Sequence, residues 1–346
     1  MMLKLNTTMI AAAFEIIAII CALFWIYRVL CYDNKISRKD STITREVEVM
    51  PECVIEFPLE EMMPEGLIKF TSEEVRQATN DYDEDNLIGF GCYGLVYSGL
   101  IGDMPVVIKT GIGYYRHPTF LAEVSYMSSK TQHNNVVNLV GYCYNDGEYE
   151  VLVYEYLING NVQDYLREHA DLTFKQRVSI ALGAARGLQH LHNLNPPLQH
   201  KRFTTNKVLL DANLNAKVSD AGMSGFVQEL PVVPLFFDND KGGSEETVDV
   251  YSFGMFLLEL FTGEEPEEFK SNLDLVIWIV ERVYSDTMND ERMTGTFKKH
   301  SLMSLMLIMV KCMKYPPAIR VNMDGVVREL EEIVQIEEGP LHTIAP

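Results

Sequence analysis

The sequence predicts an α+β chain, with a strand-rich segment followed by a longer helical one, set behind a single apolar span. Three observations predict it. Residues 9–30 are apolar except for two charges, residues 87–109 carry short β-rich runs punctuated by glycines, and helix-period segments dominate from residue 172 onward. At 346 residues and 47% hydrophobic side chains, the chain has apolar material for a core of about two domains. Its formal net charge of −20 argues against nucleic-acid binding, which needs clustered Lys and Arg to neutralise phosphates. The cysteines, at 21, 31, 53, 92, 143 and 312, form no C-x-x-C pair and have no His at metal spacing, which fits a reducing compartment without disulfides or a metal site.

Met9–Leu30 is long enough to cross roughly 30 Å of hydrocarbon as a helix. It ends in Phe24-Trp25-Ile26-Tyr27, an interfacial aromatic belt rather than the small residues of a signal-peptide cleavage site. Lys4 precedes the span, whereas Arg28, Lys35, Arg38, Lys39 and Arg45 follow it, so the positive-inside rule puts the following chain in the cytoplasm. Residues 1–8 are then an extracellular stub too short to form a ligand-binding domain. Glu15 inside the span and Cys31 at its cytoplasmic edge are candidates for helix pairing and acylation, respectively.

Residues 31–69 are polar and acidic, contain Pro51, Pro58 and Pro64, and read as a juxtamembrane linker. Thr71 and Glu74 then form a capping-box pattern that starts a helix. The runs LIGFGCYGLVYSGL and PVVIKT, joined by Gly102-Asp103, predict a hairpin plus a third strand. Gly89, Gly91 and Gly94, followed by Val96, would let backbone N–H groups approach phosphate oxygens, and Lys109 on a rigid strand would neutralise them. Phe120–Ser129 is a short amphipathic helix. Two further strands follow, then long helices over Leu172–Leu194 and Val248–Gly263, the second ended by a C-cap glycine. The methionines between Met303 and Met313 fall at helical spacing and read as core.

These landmarks in this order resemble a eukaryotic protein kinase, specifically the plant receptor-like kinases of the Pelle-related class, from about Phe70 to Ile333. The resemblance implies a two-lobed kinase-like fold, with the small β-rich lobe at 70–157, the large helical lobe at 158–336, and a tail at 337–346. It makes Gly89, Gly91, Gly94, Val96, Lys109, Glu123 and Asp220 the nucleotide-binding set, with Glu123 as the helix partner of Lys109. It places Tyr154 beside the nucleotide and Glu155–Leu157 at the hinge. His190 and His192 are structural, Asp249 holds the catalytic-loop backbone, and Arg320 pairs with Asp240.

The run Leu198–Asp220, LQHKRFTTNKVLLDANLNAKVSD, departs from that pattern where the chemistry lies. With His200 on the histidine of H-R-D-L-x-x-x-N, Arg202 stands where the catalytic aspartate belongs and Lys207 where the metal-binding asparagine belongs. A guanidinium has no acceptor for a hydroxyl proton, and a protonated lysine cannot ligate a metal. Ala221 replaces the phenylalanine of D-F-G, so neighbours must fill the space of a ring.

The expected protein is therefore a receptor-like pseudokinase at the plasma membrane. It would act as a scaffold or allosteric partner of an active receptor kinase or co-receptor, with no catalytic residue and no metal ligand set. ATP, if held, is held weakly or without divalent metal, because Asp220 can pair with Lys207 instead. The alternatives are an atypical active Ser/Thr kinase and a nucleotide-sensing switch.

Overall fold

The computed structural model describes residues 66–91, 93–111, 120–145, 149–168, 172–223, 246–264, 272–284, 290, 293 and 297–339. All of them belong to one unit, Glu56–Pro346. The predicted span at 9–30, the stub before it and Asp240 lie outside the described residues. Among those described, no helix is long and apolar enough to cross a membrane.

A six-stranded sheet begins the fold: β1 (Ile68–Lys69), β2 (Leu87–Phe90), β3 (Gly94–Ile101), β4 (Met104–Gly111), β5 (Leu139–Asn145) and β6 (Tyr149–Glu155), in the order β1-β5-β6-β4-β3-β2. β1, which the sequence assigns to the linker, pairs in parallel with β5. Gly141 makes this possible, because a Cβ there would lie 2.2 Å from the Ile68 carbonyl oxygen. Helix α1 (Ser72–Ala78) follows, with the predicted capping box formed: Thr71 Oγ1 accepts from Glu74 N–H at 3.2 Å, and Glu74 accepts from Thr71 N–H at 2.7 Å. Its Val75 and Ala78 bury against Val106 and Ile108 of β4 on one face of the sheet.

Strand periodicity sends Val107 and Lys109 to the opposite face. There α2 (Phe120–Lys130) lays Phe120, Val124 and Met127 over Leu139, Leu152 and Tyr154. The register pairs Lys109 with Val96 of β3 and with Leu152 of β6, which fixes the lysine beneath the glycine hairpin.

The second half is helical: α3 (Val162–Glu168), α4 (Phe174–His192), α5 (Glu246–Thr262), α6 (Asn272–Tyr284), α7 (Lys299–Cys312) and α8 (Met323–Glu338), with a small hairpin of β7 (Val208–Leu210) and β8 (Ala216–Val218). α4 is the central element. A box of Thr173 and Gln176 caps it. Gly187 lets its backbone approach β8, since a Cβ there would meet Val218 at 2.6 Å. Arg177 of α4 is fully buried and donates to Asp290 at 2.8 Å and to the Leu260 carbonyl at 2.6 Å, tying α4 to the end of α5. Met306 and Met309 of α7 are buried, as core methionines should be.

Candidate functional site

Asp249, fully buried in the first turn of α5, organises the catalytic loop. Its carboxylate accepts from His200 N–H at 2.7 Å, from Lys201 N–H at 2.8 Å and from His192 Nε2 at 3.0 Å. This clasp holds Lys201 at φ 65°, in the left-handed region that non-glycine residues seldom occupy. His190 serves structure as well, its Nε2 donating to the Lys130 carbonyl at 2.7 Å.

The His200 ring is buried. Its Nε2 donates to the Ser219 carbonyl at 2.8 Å, and its Nδ1 has no partner among the described residues. Burial pulls its pKa below the usual histidine value, against the opposing pull of Asp249 and the Ser219 carbonyl. Neutral imidazole is the form that fits.

Lys207 sits in the one-turn 3₁₀ segment Thr205–Lys207. Its N–H donates to the Thr204 carbonyl at 2.8 Å, and its own carbonyl accepts from Ser219 N–H at 2.8 Å. The loop is thereby laced to the strand leading to Asp220. The result is a three-residue ion cluster: Lys207 Nζ lies 2.6 Å from Asp220 Oδ2, while Lys109 Nζ donates to Asp220 Oδ1. The side chains of Asp220, Lys109 and Lys207 are 9%, 13% and 24% exposed. Burial alone would raise the Asp220 pKa, but Lys109 and then Lys207 outweigh it and hold the carboxyl well below the usual carboxylate range.

Both oxygens of the one acidic residue a metal would use are thus taken by ammonium groups. Among the described residues no group of three or more His, Cys, Asp or Glu could hold a metal. A divalent ion therefore does not fit this arrangement.

Glu123, the partner expected for Lys109, forms no ion pair among the described residues. Lys109 instead faces Asp220 and lies 4.8 Å from the centre of the Tyr154 ring. Tyr93, from the tip of the glycine hairpin, is buried with Phe120 and Val124, which flank Glu123 on α2. Its hydroxyl donates to the Glu150 carbonyl at 3.0 Å, and burial pushes its pKa far up.

The space left by the missing D-F-G ring is answered two residues later. Met223 is 3% exposed in the cluster with Val124, Met127 and Tyr154, and its sulfur accepts from the Tyr154 hydroxyl at 3.4 Å. Ala221 is buried beside it in sequence. Behind the hinge, Glu155 takes Lys217 Nζ at 2.7 and 2.9 Å and Asn138 N–H at 2.7 Å, linking the hinge to β8.

The glycine hairpin keeps room for a ligand. A Cβ built at Gly89 meets nothing within 4 Å, and one at Gly91 meets nothing nearer than 3.9 Å. Neither space nor backbone angle among the described residues requires glycine at these two positions. Gly91 N–H closes the turn on the Gly94 carbonyl at 2.7 Å, and Val96 faces Lys109 across the ladder. Arg202 is half-buried and makes no hydrogen bond or ion pair among the described residues. Arg320 donates to the carbonyls of Lys314 and Thr247, each at 2.9 Å, and stacks on Tyr251.

The family model described as protein tyrosine and serine/threonine kinase matches residues 83–232 and 236–330, well over half of the chain. The chain belongs to the protein kinase family. A probable receptor-like protein kinase of Arabidopsis thaliana is 33% identical over 292 residues, covering 75% of this chain and 79% of that protein. A putative leucine-rich repeat receptor-like serine/threonine-protein kinase of the same plant is 35% identical over 293 residues, covering 77% of this chain and 31% of that larger protein. The solved pseudokinase domain of BIR2, described as an immune regulator of the RLK/Pelle family, superposes with a TM-score of 0.66 at 24% identity, over 77% of this chain and 87% of that one. The two-lobed kinase fold and the kinship with plant receptor-like kinases are therefore shown, on a chain whose catalytic loop carries cations at 202 and 207.

Proposed function

We propose that this kinase-family chain is a receptor-like pseudokinase that acts as a signalling scaffold or allosteric partner of an active receptor kinase. One observation carries the reading: Asp220, the remaining acidic residue of the phosphoryl-transfer site, is shared between Lys109 and Lys207. Phosphoryl transfer depends on metal ions that bridge and neutralise the phosphates and on a residue that orients the nucleophile. This site offers Lys207 for the first and Arg202 for the second, and neither can do that work. What remains is a phosphate cradle, consisting of the open glycine hairpin with Lys109 and Lys207. These groups would hold the polyphosphate of ATP weakly and without metal, with the Lys207 ammonium taking over part of the charge of the ion.

The membrane setting rests on Met9–Leu30 and the Lys/Arg asymmetry around it, which would hold the kinase-like unit at the cytoplasmic face of the plasma membrane beside its partner. The relatives named as kinases supply the competing reading, an atypical active Ser/Thr kinase. The deciding assay is phosphate incorporation from labelled ATP by the purified chain, with Mg²⁺ or Mn²⁺. The expected outcome is incorporation no greater than in a mock preparation. Incorporation that disappears in Lys109→Met would contradict the pseudokinase reading.

A further inference from the structure

We propose that the stacked imidazoles of His133 and His190 form a pH-sensitive latch on the joint between the small lobe and β8, closed while His133 is neutral and released when it takes up a proton. The joint is the turn between α2 and β5, and Asn135 is its bolt. The Asn135 side-chain amide donates to the Ala216 carbonyl at 2.9 Å, its own carbonyl accepts from Val218 N–H at 2.8 Å, and Val137 N–H donates to the Val218 carbonyl at 2.9 Å. The same Asn135 carbonyl packs so closely on α4 that a Cβ at Gly187 would lie 2.5 Å from it. β8 ends at Val218, two residues before Asp220. Whatever holds this turn to β8 therefore also steadies the strand that leads into the ion cluster of Asp220 with Lys109 and Lys207.

His133 holds the bolt in place. Its ring Nδ1 accepts from Asn135 N–H at 3.1 Å, and its carbonyl accepts from Val136 N–H at 3.0 Å. A backbone N–H only donates, so Nδ1 must keep its lone pair, and the ring is neutral with its proton on Nε2. A proton added at Nδ1 would set two N–H groups against each other and break this bond. Neighbouring charge opposes that proton as well. His190 of α4 stacks on His133 with ring centres 4.6 Å apart and planes 12° apart, while its Nε2 donates to the Lys130 carbonyl at the end of α2. Arg186, about one turn earlier on α4, adds a fixed positive charge, which it shares with Glu331 of α8 at 2.8 Å. On β8, Lys217 is engaged by Glu155. Neither imidazole pairs with a carboxylate among the described residues. Burial, then His190 and Arg186, accordingly pull the His133 pKa below the usual histidine value. Both rings are half-buried rather than sealed, so protons reach them from solvent. The device goes beyond the pseudokinase reading and does not depend on it, since it acts on the joint and not on phosphate transfer.

The test is hydrogen–deuterium exchange on the full chain at pH 7 and pH 5, with each rate referred to the intrinsic amide rate at that pH. Peptides covering 131–138 and 216–219 are expected to lose protection at pH 5 relative to peptides covering β4 and β6. The relative loss is expected to be about threefold or more and to stay below about 30-fold, the ratio set by lying about 1.5 pH units under the ordinary histidine value of about 6.5. His133→Asn keeps a side-chain acceptor for Asn135 N–H, as in an Asx turn, but cannot titrate, and it is expected to abolish the relative loss. A loss spread equally over the small lobe is what the burial of His200 alone would produce, and it overturns the proposal. An undiminished relative loss in His133→Asn overturns it too. A second measurement uses only the natural chain and so stands whether or not that variant folds. Imidazole ¹⁵N spectra are expected to show His133 neutral with its proton on Nε2 at pH 7, and titrating below pH 6.5 in step with the loss of protection. A His133 that is charged at pH 7, carries its neutral proton on Nδ1, or titrates with no change in exchange at the joint contradicts the latch.

Discussion

Replacing Asp220 by asparagine tests the ion cluster most severely, because it removes the one carboxylate that two partly buried ammonium groups share. At the 2.6 Å separation of Lys207 Nζ and Asp220 Oδ2, one unit-charge attraction is on the order of 6 kcal/mol at an effective dielectric of about 20. Desolvation of the partners offsets much of that. The net effect of leaving buried charge unpaired is therefore expected to be about 3–5 kcal/mol of lost stability. At about 2 °C per kcal/mol for a domain of this size, the melting midpoint should fall by roughly 6–10 °C. Repulsion between the two orphaned ammonium groups makes up part of this loss, so Asp220→Asn combined with Lys207→Met should recover part of it. Differential scanning calorimetry of the natural chain, each single variant and the double variant closes the cycle. An Asp220→Asn midpoint within a degree of the natural chain, or a double variant no more stable than Asp220→Asn, would refute the reasoning.

Two further predictions concern the groups around that cluster. Tyr93→Phe keeps the buried ring but loses the hydrogen bond to the Glu150 carbonyl, leaving that acceptor without it; a loss of about 1 kcal/mol is expected in denaturant midpoint, and an unchanged midpoint would contradict the bond. The pH dependence follows from His200, whose pKa burial lowers in the folded state. The unfolded chain takes up its proton near pH 6.5, so it binds more protons than the folded chain just below that pH. Stability is then fully present above about pH 6.5 and falls as the pH drops toward the lower folded value. Denaturant midpoints at pH 7 and pH 5 should differ in that direction, and less so in His200→Gln. Equal midpoints in the natural chain would contradict a buried neutral imidazole.

Much of the fold can be read along the chain because its signals are local. The Thr71–Glu74 box, the glycine hairpin, the alternation that turns Lys109 away from Val106 and Ile108, and the helix stop at Gly263 all need only neighbouring residues. The pairing of Asp220 with Lys207 could also be inferred, since a cation in a metal-ligand position beside a carboxylate has little else to do. What could not be read depends on distant contacts. Arg177 lies on a helix where a charged residue suggests solvent, and distant partners such as Asp290 and the Leu260 carbonyl help make its burial tolerable. Lys109 turns to Asp220 rather than Glu123, a contact between residues 111 positions apart that spacing along the chain does not reveal. Met223 fills the D-F-G region without belonging to any periodic pattern, and Ile68–Lys69 is too short a strand to show alternation.

The claim that Lys207 stands in for a metal ion is tested most directly by ATP affinity measured in EDTA and in excess Mg²⁺, for the natural chain and for Lys207→Asn. The account predicts similar affinities in the two buffers for the natural chain, with a clear gain on adding Mg²⁺ appearing only once the asparagine frees Asp220 Oδ2 for the ion. A natural chain that binds ATP tightly only in Mg²⁺ would contradict it.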